Sequence, residues 1–378
     1  MLKGFHLSLL MGPVVASPVA SYVVDALQSA QVTSGGGRSG FQLVFAWGRN
    51  SPIDRDLQAG KFDPLNRVIL AVTVDGTPDV IMDGLITRVD MAPSSDPGKS
   101  TLTVTGDDLS AAMDLINLAG LIPYPAMPTE AIVALILAKY LLFGVVPMII
   151  PSPFIDIPNP ISKWDTHLGT DLAYLRQCAS RTGYVFYVEP GPQIGMSVAY
   201  WGPEIRYGEV QPALTINSDA STNIDSLSFS FDGTQRTIQV VLVTPDLAPV
   251  PIPIPIPIPD VGILRPILAQ RPALPLKFEK LDPDFGVTKK SIPRAIAVGV
   301  AKASQTADAV TGSGSLDVTR YGRVLKPRKL VGVRGAGTAF DGVYYVKSVT
   351  HNLKRGEYKQ SFNLAREGLM PIDQRVQP

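Results

Sequence analysis

Residues 68–110, VILAVTVDGTPDVIMDGLITRVDMAPSSDPGKSTLTVTGDDLS, hold the reading that decides the fold. Val68–Val74 and Val80–Asp90 are rich in apolar and β-branched residues, and Asp75-Gly76-Thr77-Pro78 between them is turn chemistry. Thr101–Thr105 alternates Thr with Leu and Val, so the run predicts strand, turn, strand, loop, strand, an antiparallel meander. From Asp107 the period lengthens to about 3.6, with Leu109, Ala112, Met113 and Ile116 placed for one helical face behind the acidic start Asp107-Asp108. That change of period predicts a domain boundary near residue 112.

Working upstream, Tyr22–Thr33 and Phe41–Trp47 read as strands flanking SGGGRSG (34–40), whose glycines permit the positive φ of a tight reversal. The same glycines spell GxGxxG. A dinucleotide loop is followed by a helix, however, and FQLVFAW (41–47) is strand, so a hairpin is expected. Working downstream, helices are expected over 129–142 and 170–182, the second opened by Thr170-Asp171 and closed by Gly183 with Leu172, Leu175 and Ala179 inward. Strands at Tyr184–Val188 and Met196–Tyr200 complete a mixed α/β block. Ile224–Phe231 and Arg236–Val243 flank Asp232-Gly233-Thr234-Gln235 and read as a hairpin, and the last strands are Leu330–Arg334, Gly342–Leu353 and Tyr358–Ala365.

Between them, Pro245–Pro293 holds twelve prolines in 49 residues, including PIPIPIPIP at 251–259. Every second backbone N–H is missing there, which excludes a central strand and predicts a stiff polyproline II or edge-like segment. The expected organisation is a first β block over 1–112, a mixed α/β middle domain over 113–204, a second β block from 205–244 and 305–366, a proline-rich insertion or arm over 245–304, and a loose tail over 367–378. The fold class is β-rich α+β.

Glycine (33) and proline (34) make up about 18% of the 378 residues against an average near 12%, which excludes a coiled coil. A net charge of +1 leaves no whole-molecule field to steer the chain onto nucleic acid or an anionic membrane. The one cysteine, Cys178, excludes a disulfide-stapled fold. His6 and Gly12-Pro13 inside the apolar N-terminal stretch argue against a signal peptide. Ala131–Ile150 has the length of a membrane span, but Lys139, Gly144 and Pro147 interrupt it, so a buried helix followed by a short apolar strand is expected.

Chemistry-bearing motifs are absent: no GxxxxGK[ST], HExxH or GxSxG, and no Cys/His cluster at zinc spacing. His6, His167 and His351 fall in three different expected domains and read as packing or surface residues. Asp107-Asp108 reads as helix capping, and Asp54 and Asp56, among Arg49 and Arg55, as a solvated loop. No enzyme activity, metal or cofactor is expected. Charge is uneven along the chain: residues 315–366 carry 11 basic and 3 acidic groups. Arg320, Arg323, Lys326, Arg328, Lys329 and Arg334 fall within fifteen residues without an acid among them, a candidate surface for an acidic partner, with a solvated strand face as the alternative.

Three stretches together resemble the baseplate hub family of contractile phage tails and related injection systems, the phage late control protein D family. The first is DGLITRV (83–89) followed by STLTVTGDDLS (100–110). The second runs from Thr170-Asp171-Leu172-Ala173-Tyr174-Leu175 through Ala179, Arg181 and GYVFYV (183–188) to Trp201-Gly202-Pro203-Glu204. The third comprises Leu316-Asp317, Arg320-Tyr321-Gly322, LVGVRG (330–335), DGVYYV (341–346) and YKQSF (358–362).

The resemblance implies two tail-tube-like β-barrel domains per chain and a homotrimer whose ring joins a hexameric inner tube to a trimeric spike protein, within a tail particle that includes other baseplate proteins. It implies binding and geometry in place of bond-making chemistry, with neither nucleic acid nor direct membrane insertion. The chain stops after the second β block, whereas type VI spike proteins continue into an oligosaccharide-binding domain and a needle, so a stand-alone hub is expected. The proline-rich arm departs from the family pattern. A tail-associated cell-wall hydrolase or a carbohydrate-binding module is the alternative.

Overall fold

The computed structural model describes residues 4–96, 98–125, 127–152, 165–218, 221–243, 252–255, 266–275, 277–280 and 308–372. The first block contains β1 (Phe5–Gly12), β2 (Ser17–Pro18), α1 (Ser21–Ala26), β3 (Leu27–Gly35), β4 (Gly40–Ala46), α2 (Pro52–Gln58), β5 (Arg67–Val74), β6 (Thr77–Ala92) and β7 (Thr101–Asp108). Its strands run β3-β4-β7-β6-β5-β1-β2, with the expected β5-β6-β7 meander at the centre. The β3–β4 turn is a hairpin, with Gly35 at φ +87° and Gly36 at +64°. Gly106 on β7 is required by close approach: a Cβ there would lie 2.2 Å from Leu85 C=O and 2.3 Å from the Phe41 ring.

Two local expectations differ. Ser21–Ala26 is helical, not strand, because Val23 buries in the core and Tyr22 Oη donates to Asp56 at 2.8 Å, contacts that outweigh the β propensity of Tyr and Val. After β7 the helical turn is a 3-10 segment, Leu109–Asp114, capped by Asp108, which accepts from Ser110 N–H at 2.9 Å; Leu109 and Met113 are buried, but Ile116 is exposed.

The middle block holds β8 (Pro123–Tyr124), α3 (Thr129–Ala138), β9 (Val145–Ile149), β10 (Asp165–Thr166), α4 (Asp171–Thr182), β11 (Val185–Pro190) and β12 (Ser197–Gly202). β11-β12-β9 form a sheet with β9 parallel to β12 and at its edge. α3 and α4 cover one face, around a core of Ile132, Val133, Leu137, Leu175 and Trp201. The α4 start is as read: Thr170 Oγ1 accepts from Ala173 N–H at 3.2 Å. Among the described residues no helix is long and apolar enough to cross a membrane.

The remainder contains β13 (Val210–Thr215), β14 (Ile224–Phe231), β15 (Thr237–Val243), β16 (Ile252–Pro255), β17 (Ala269–Pro272), β18 (Lys277–Lys280), β19 (Val310–Asp317), β20 (Leu330–Arg334), β21 (Gly342–Lys354), β22 (Glu357–Arg366) and β23 (Gly368–Pro371). The expected β14–β15 hairpin does not form. Asp232 does make a turn, accepting from Thr234 N–H at 2.8 Å, but β14 pairs with β19 while β15 pairs with β16 and β18. Gly312 on β19 lets this happen, since the Phe229 ring of β14 packs where a Cβ would be, 2.6 Å away. Asn223 ties β13 to β14: its Oδ1 accepts from Thr215 N–H and its Nδ2 donates to Ala213 C=O, both at 2.8 Å.

The two β blocks are continuous through one sheet. β21 pairs with β3 from Ser348↔Gly35 to Lys354↔Ser29, joining both blocks in one sheet, and a common core mixes Leu43, Phe45 and Val72 with Val333, Phe362 and Leu364. The expected loose tail is partly ordered. β23 pairs with β17, and the buried Glu367 carboxylate accepts from Leu268 N–H and, at 2.7 Å, Ala269 N–H. Within the proline run, Ile252–Pro255 forms an outer strand; residues 256–265 and 281–307 lie outside the described residues.

Candidate partner interface

The basic segment begins at a one-turn helix, Val318–Tyr321, capped by Asp317, whose Oδ1 accepts from Thr319 N–H at 2.8 Å. The chain then crosses the sheet irregularly, held by side chain and backbone. Gln360 accepts from Leu325 N–H and donates to Leu325 C=O, each at 3.0 Å, with Leu325 buried. Arg328 N–H donates to Val346 C=O at 2.8 Å, and Val346 N–H to Lys329 C=O at 2.9 Å. Arg328 itself has φ +59°, a conformation non-glycine residues keep only where their surroundings impose it. These anchors on β21 and β22 decide where the cations point.

Half of the six candidate residues meet acids of the same chain. Arg320 pairs with Asp225 at 3.0 Å, Lys326 pairs with Asp79, and Arg328 lies 3.4 Å from Glu189. Lys359 shares Asp225 at 3.4 Å. Among the described residues Arg323, Lys329 and Arg334 form no ion pair; Arg323 and Lys329 are exposed and Arg334 is half-buried. The repulsion implied by an acid-free stretch is therefore relieved largely from within, by acids on β6, β11 and β14.

Arg328 also stacks on an aromatic ring, its guanidinium carbon 3.8 Å from the Tyr187 centroid. Burial pushes the Tyr187 hydroxyl well above its usual range. The Glu189 carboxyl is likewise raised by burial, which outweighs the pull of Arg328. Arg328 and Tyr187 stand between two clefts. One, of about 510 Å³, is lined by Asp79, Asp108, Glu189, Lys326 and Lys329; the other, of about 550 Å³, by Arg176, Arg206, Asp308, Tyr345 and Lys347. In the second, Arg206 is bidentate to Asp308 at 2.6 and 2.9 Å and lies 4.4 Å over Tyr345. The first cleft is walled by ion pairs between blocks, Lys326 with Asp79 and Arg328 with Glu189, and the second by an ion pair within the second β block.

The other polar groups are structural. Asp54 and Asp56 are buried, not solvated as expected: Asp54 accepts from Asn50 N–H at 3.0 Å and Gln58 Nε2 at 3.2 Å, and Asp56 pairs with Lys61 at 2.7 Å. His351 is buried beside Tyr358 Oη at 2.8 Å, and burial pushes its imidazole down to about 3. His167 sits in the middle core with Tyr124 Oη 2.9 Å from Nδ1 and Asp171 3.4 Å from Nε2, and burial lowers it too. Among the described residues no group of three or more His, Cys, Asp or Glu could hold a metal ion. Sequence reasoning missed Asp79, Tyr187, Glu189 and Asp225 as partners of the basic segment; they lie 95 to 247 positions away from the cations they meet, in places no local pattern marks.

No protein-family model matches this sequence, and no curated protein sequence is significantly similar to it. Solved structures are. The tail protein from Neisseria meningitidis MC58 superposes with a TM-score of 0.63 over 97% of this chain and 98% of that one, at 16% identity. The 43 kDa tail protein of prophage MuSo2 from Shewanella oneidensis gives 0.60 over 96% and 99%, at 12% identity. A chain of the half-lidded Francisella PdpA-VgrG complex gives 0.59 over all of this chain and 60% of that one, at 9% identity. The β-rich fold of this chain is that of phage tail proteins.

Proposed function

We propose that this chain is the structural hub of a contractile tail baseplate or a related injection machine, a homotrimeric adaptor between the hexameric inner tube and the trimeric spike. The observation that carries the reading is the end-to-end superposition on two tail proteins, which leaves almost no part of any of the three chains unmatched. Tube-like barrels in each of the two β blocks would give a trimer six similar modules, so that one face suits a sixfold tube and the other a threefold spike. A shared sheet through β3 and β21 supports that role, since it makes the two modules one rigid piece able to carry load.

The Francisella neighbour is one chain of a PdpA-VgrG complex, and a spike or other baseplate protein as partner of this chain follows the same logic. Arg323, Lys329 and Arg334 are the cations left to meet such a partner. Function rests on binding and geometry: the carboxylates and histidines described above are committed to caps, ion pairs and the core. The test is purification of assembled tail particles from cells encoding this chain. Its presence at the junction of tube and spike supports the proposal; its absence from intact particles refutes it.

A further inference from the structure

Arg67 gathers three exposed segments around one buried ion pair. Its guanidinium is bidentate to Asp83 at 2.7 and 2.6 Å, and it also donates to Val14 C=O at 3.3 Å and Gly195 C=O at 3.0 Å. Ser197 Oγ donates to the same Asp83 at 2.9 Å. Gly144 packs beneath, where a Cβ would lie 2.3 Å from Gly195 C=O and 3.7 Å from Arg67 Nη2. The 12–17 loop of the first block, the turn between β11 and β12 and the turn into β9 are thereby drawn together.

All three present apolar side chains to solvent. Val15 is 81% and Leu142 87% exposed, Leu141 and Ile194 are exposed beside them, and Val146 and Met148 continue the ridge along β9. Segments 12–20, 141–150 and 190–198 contain no Asp, Glu, Lys or Arg. Together their apolar side chains expose on the order of 900 Å², against about 800 Å² contributed by one partner to a standard interface. Absence of charge is the mark of an interface core, most of all in stable homo-oligomers. β9 adds a sheet edge, blunted only by Pro147.

A second apolar set lies elsewhere on the middle block. Residues 115–121 run against 167–170, with Leu118 N–H donating to Gly169 C=O at 2.9 Å and Gly120 N–H to His167 C=O at 2.8 Å, and this ribbon exposes Leu115, Ile116, Leu121 and Leu168. α3 packs on β9 and α4 on β11; the 3-10 turn from which the ribbon leaves packs on α4 and β11. The ridge therefore sits at the β9 edge of the middle sheet and the ribbon on the β11 side.

We propose that the ridge docks on the ribbon of a second copy of this chain, head to tail, so that the copies close into a ring. Two different apolar surfaces on opposite sides of one unit make a heterologous contact, and such contacts close when the rotation allows. The ring would be the trimer of the hub reading, on which its copy number rests.

The test uses the full-length chain in sedimentation velocity over a wide concentration range, with two variants, Val15→Asp with Leu142→Asp on the ridge and Ile116→Asp with Leu121→Asp on the ribbon. Circular dichroism and denaturant midpoints verify the fold, and Leu142→Ser and Ile116→Ser replace any variant that fails to fold. The wild-type chain should form a closed oligomer and each variant should be monomeric. An equimolar mixture of the two should stop at a 1:1 dimer, because it retains one working ridge and one working ribbon.

A monomeric wild-type chain at every concentration, folded variants that associate like the wild type, or a mixture that rebuilds the full ring would overturn the proposal. So would variants that keep the ring but fail to enter tail particles, since another tail protein would then cover the ridge. A ring broken by the variants, with no wild-type chain in tail particles, would keep this contact and remove the hub reading. An intact ring in the variants, with wild-type chain in the particles, would do the reverse.

Discussion

The Arg328 guanidinium stacks 3.8 Å over the Tyr187 ring and lies 3.4 Å from a Glu189 carboxylate oxygen, so this largely buried cation of the basic segment is spent on the joint between the second β block and the middle domain. Lys329, its neighbour, forms no such pair among the described residues. Adjacent cations thus have different jobs, and substitutions should separate them.

Arg328→Ala should lower stability by roughly 1–3 kcal/mol, the stacking and ion-pair contribution together, because Tyr187 and Glu189 lose their shared partner. Arg323→Glu and Lys329→Glu should leave the denaturant midpoint within about 0.5 kcal/mol of wild type, as surface changes do. Equal loss of stability in all three variants would show that Arg328 has no special role in the joint.

Docking to a tail partner through Arg323, Lys329 and Arg334 should weaken as salt screens it. Pull-downs with the cognate spike and tube proteins over increasing ionic strength check this, with the expectation that Lys329→Glu weakens capture and flattens the salt dependence. Unchanged capture at every salt concentration would assign this face to solvent.

Asp83→Asn should cost about 3–5 kcal/mol, since it strands the buried Arg67 guanidinium, whereas Arg67→Met with Asp83→Leu should recover much of that loss. Chemical denaturation of the three proteins measures it. A double variant no better than the single one would mean that the bonds to Val14, Gly195 and Ser197, not the charge pair, carry the energy.

Stability should fall as the solution is acidified below the usual histidine range. His351 is pushed down to about 3 by burial, so the unfolded chain binds a proton that the folded chain refuses between that value and about 6.5. His167 is lowered as well and acts with the same sign. His351 contributes at most about 1.4 kcal/mol per pH unit in that window. Denaturant midpoints at pH 7.5 and pH 5 should differ less in His351→Phe than in wild type; an identical difference would remove His351 from the acid limb.

How far the sequence could be read follows from the range of each signal. β5, β6 and β7 and the pair β21–β22 were legible because their alternation and turns are local. The join between β3 and β21 was not, since residues 29–35 meet 348–354 across more than 300 positions and each strand alternates equally well toward any neighbour. Separations of 95 to 247 positions likewise hid Asp79, Glu189 and Asp225 from a reading that found Arg320 through Arg334 free of acids. Asp54 and Asp56 looked solvated because nothing in their spacing announces Trp47, Asn50, Gln58 or Tyr22 as partners.

The most direct measurement is electron cryomicroscopy of assembled tail particles carrying this chain. The expected result is three copies in a ring at the junction of tube and spike, each contributing both β blocks. Six copies, a position away from that junction, or particles that assemble completely without this chain would contradict it.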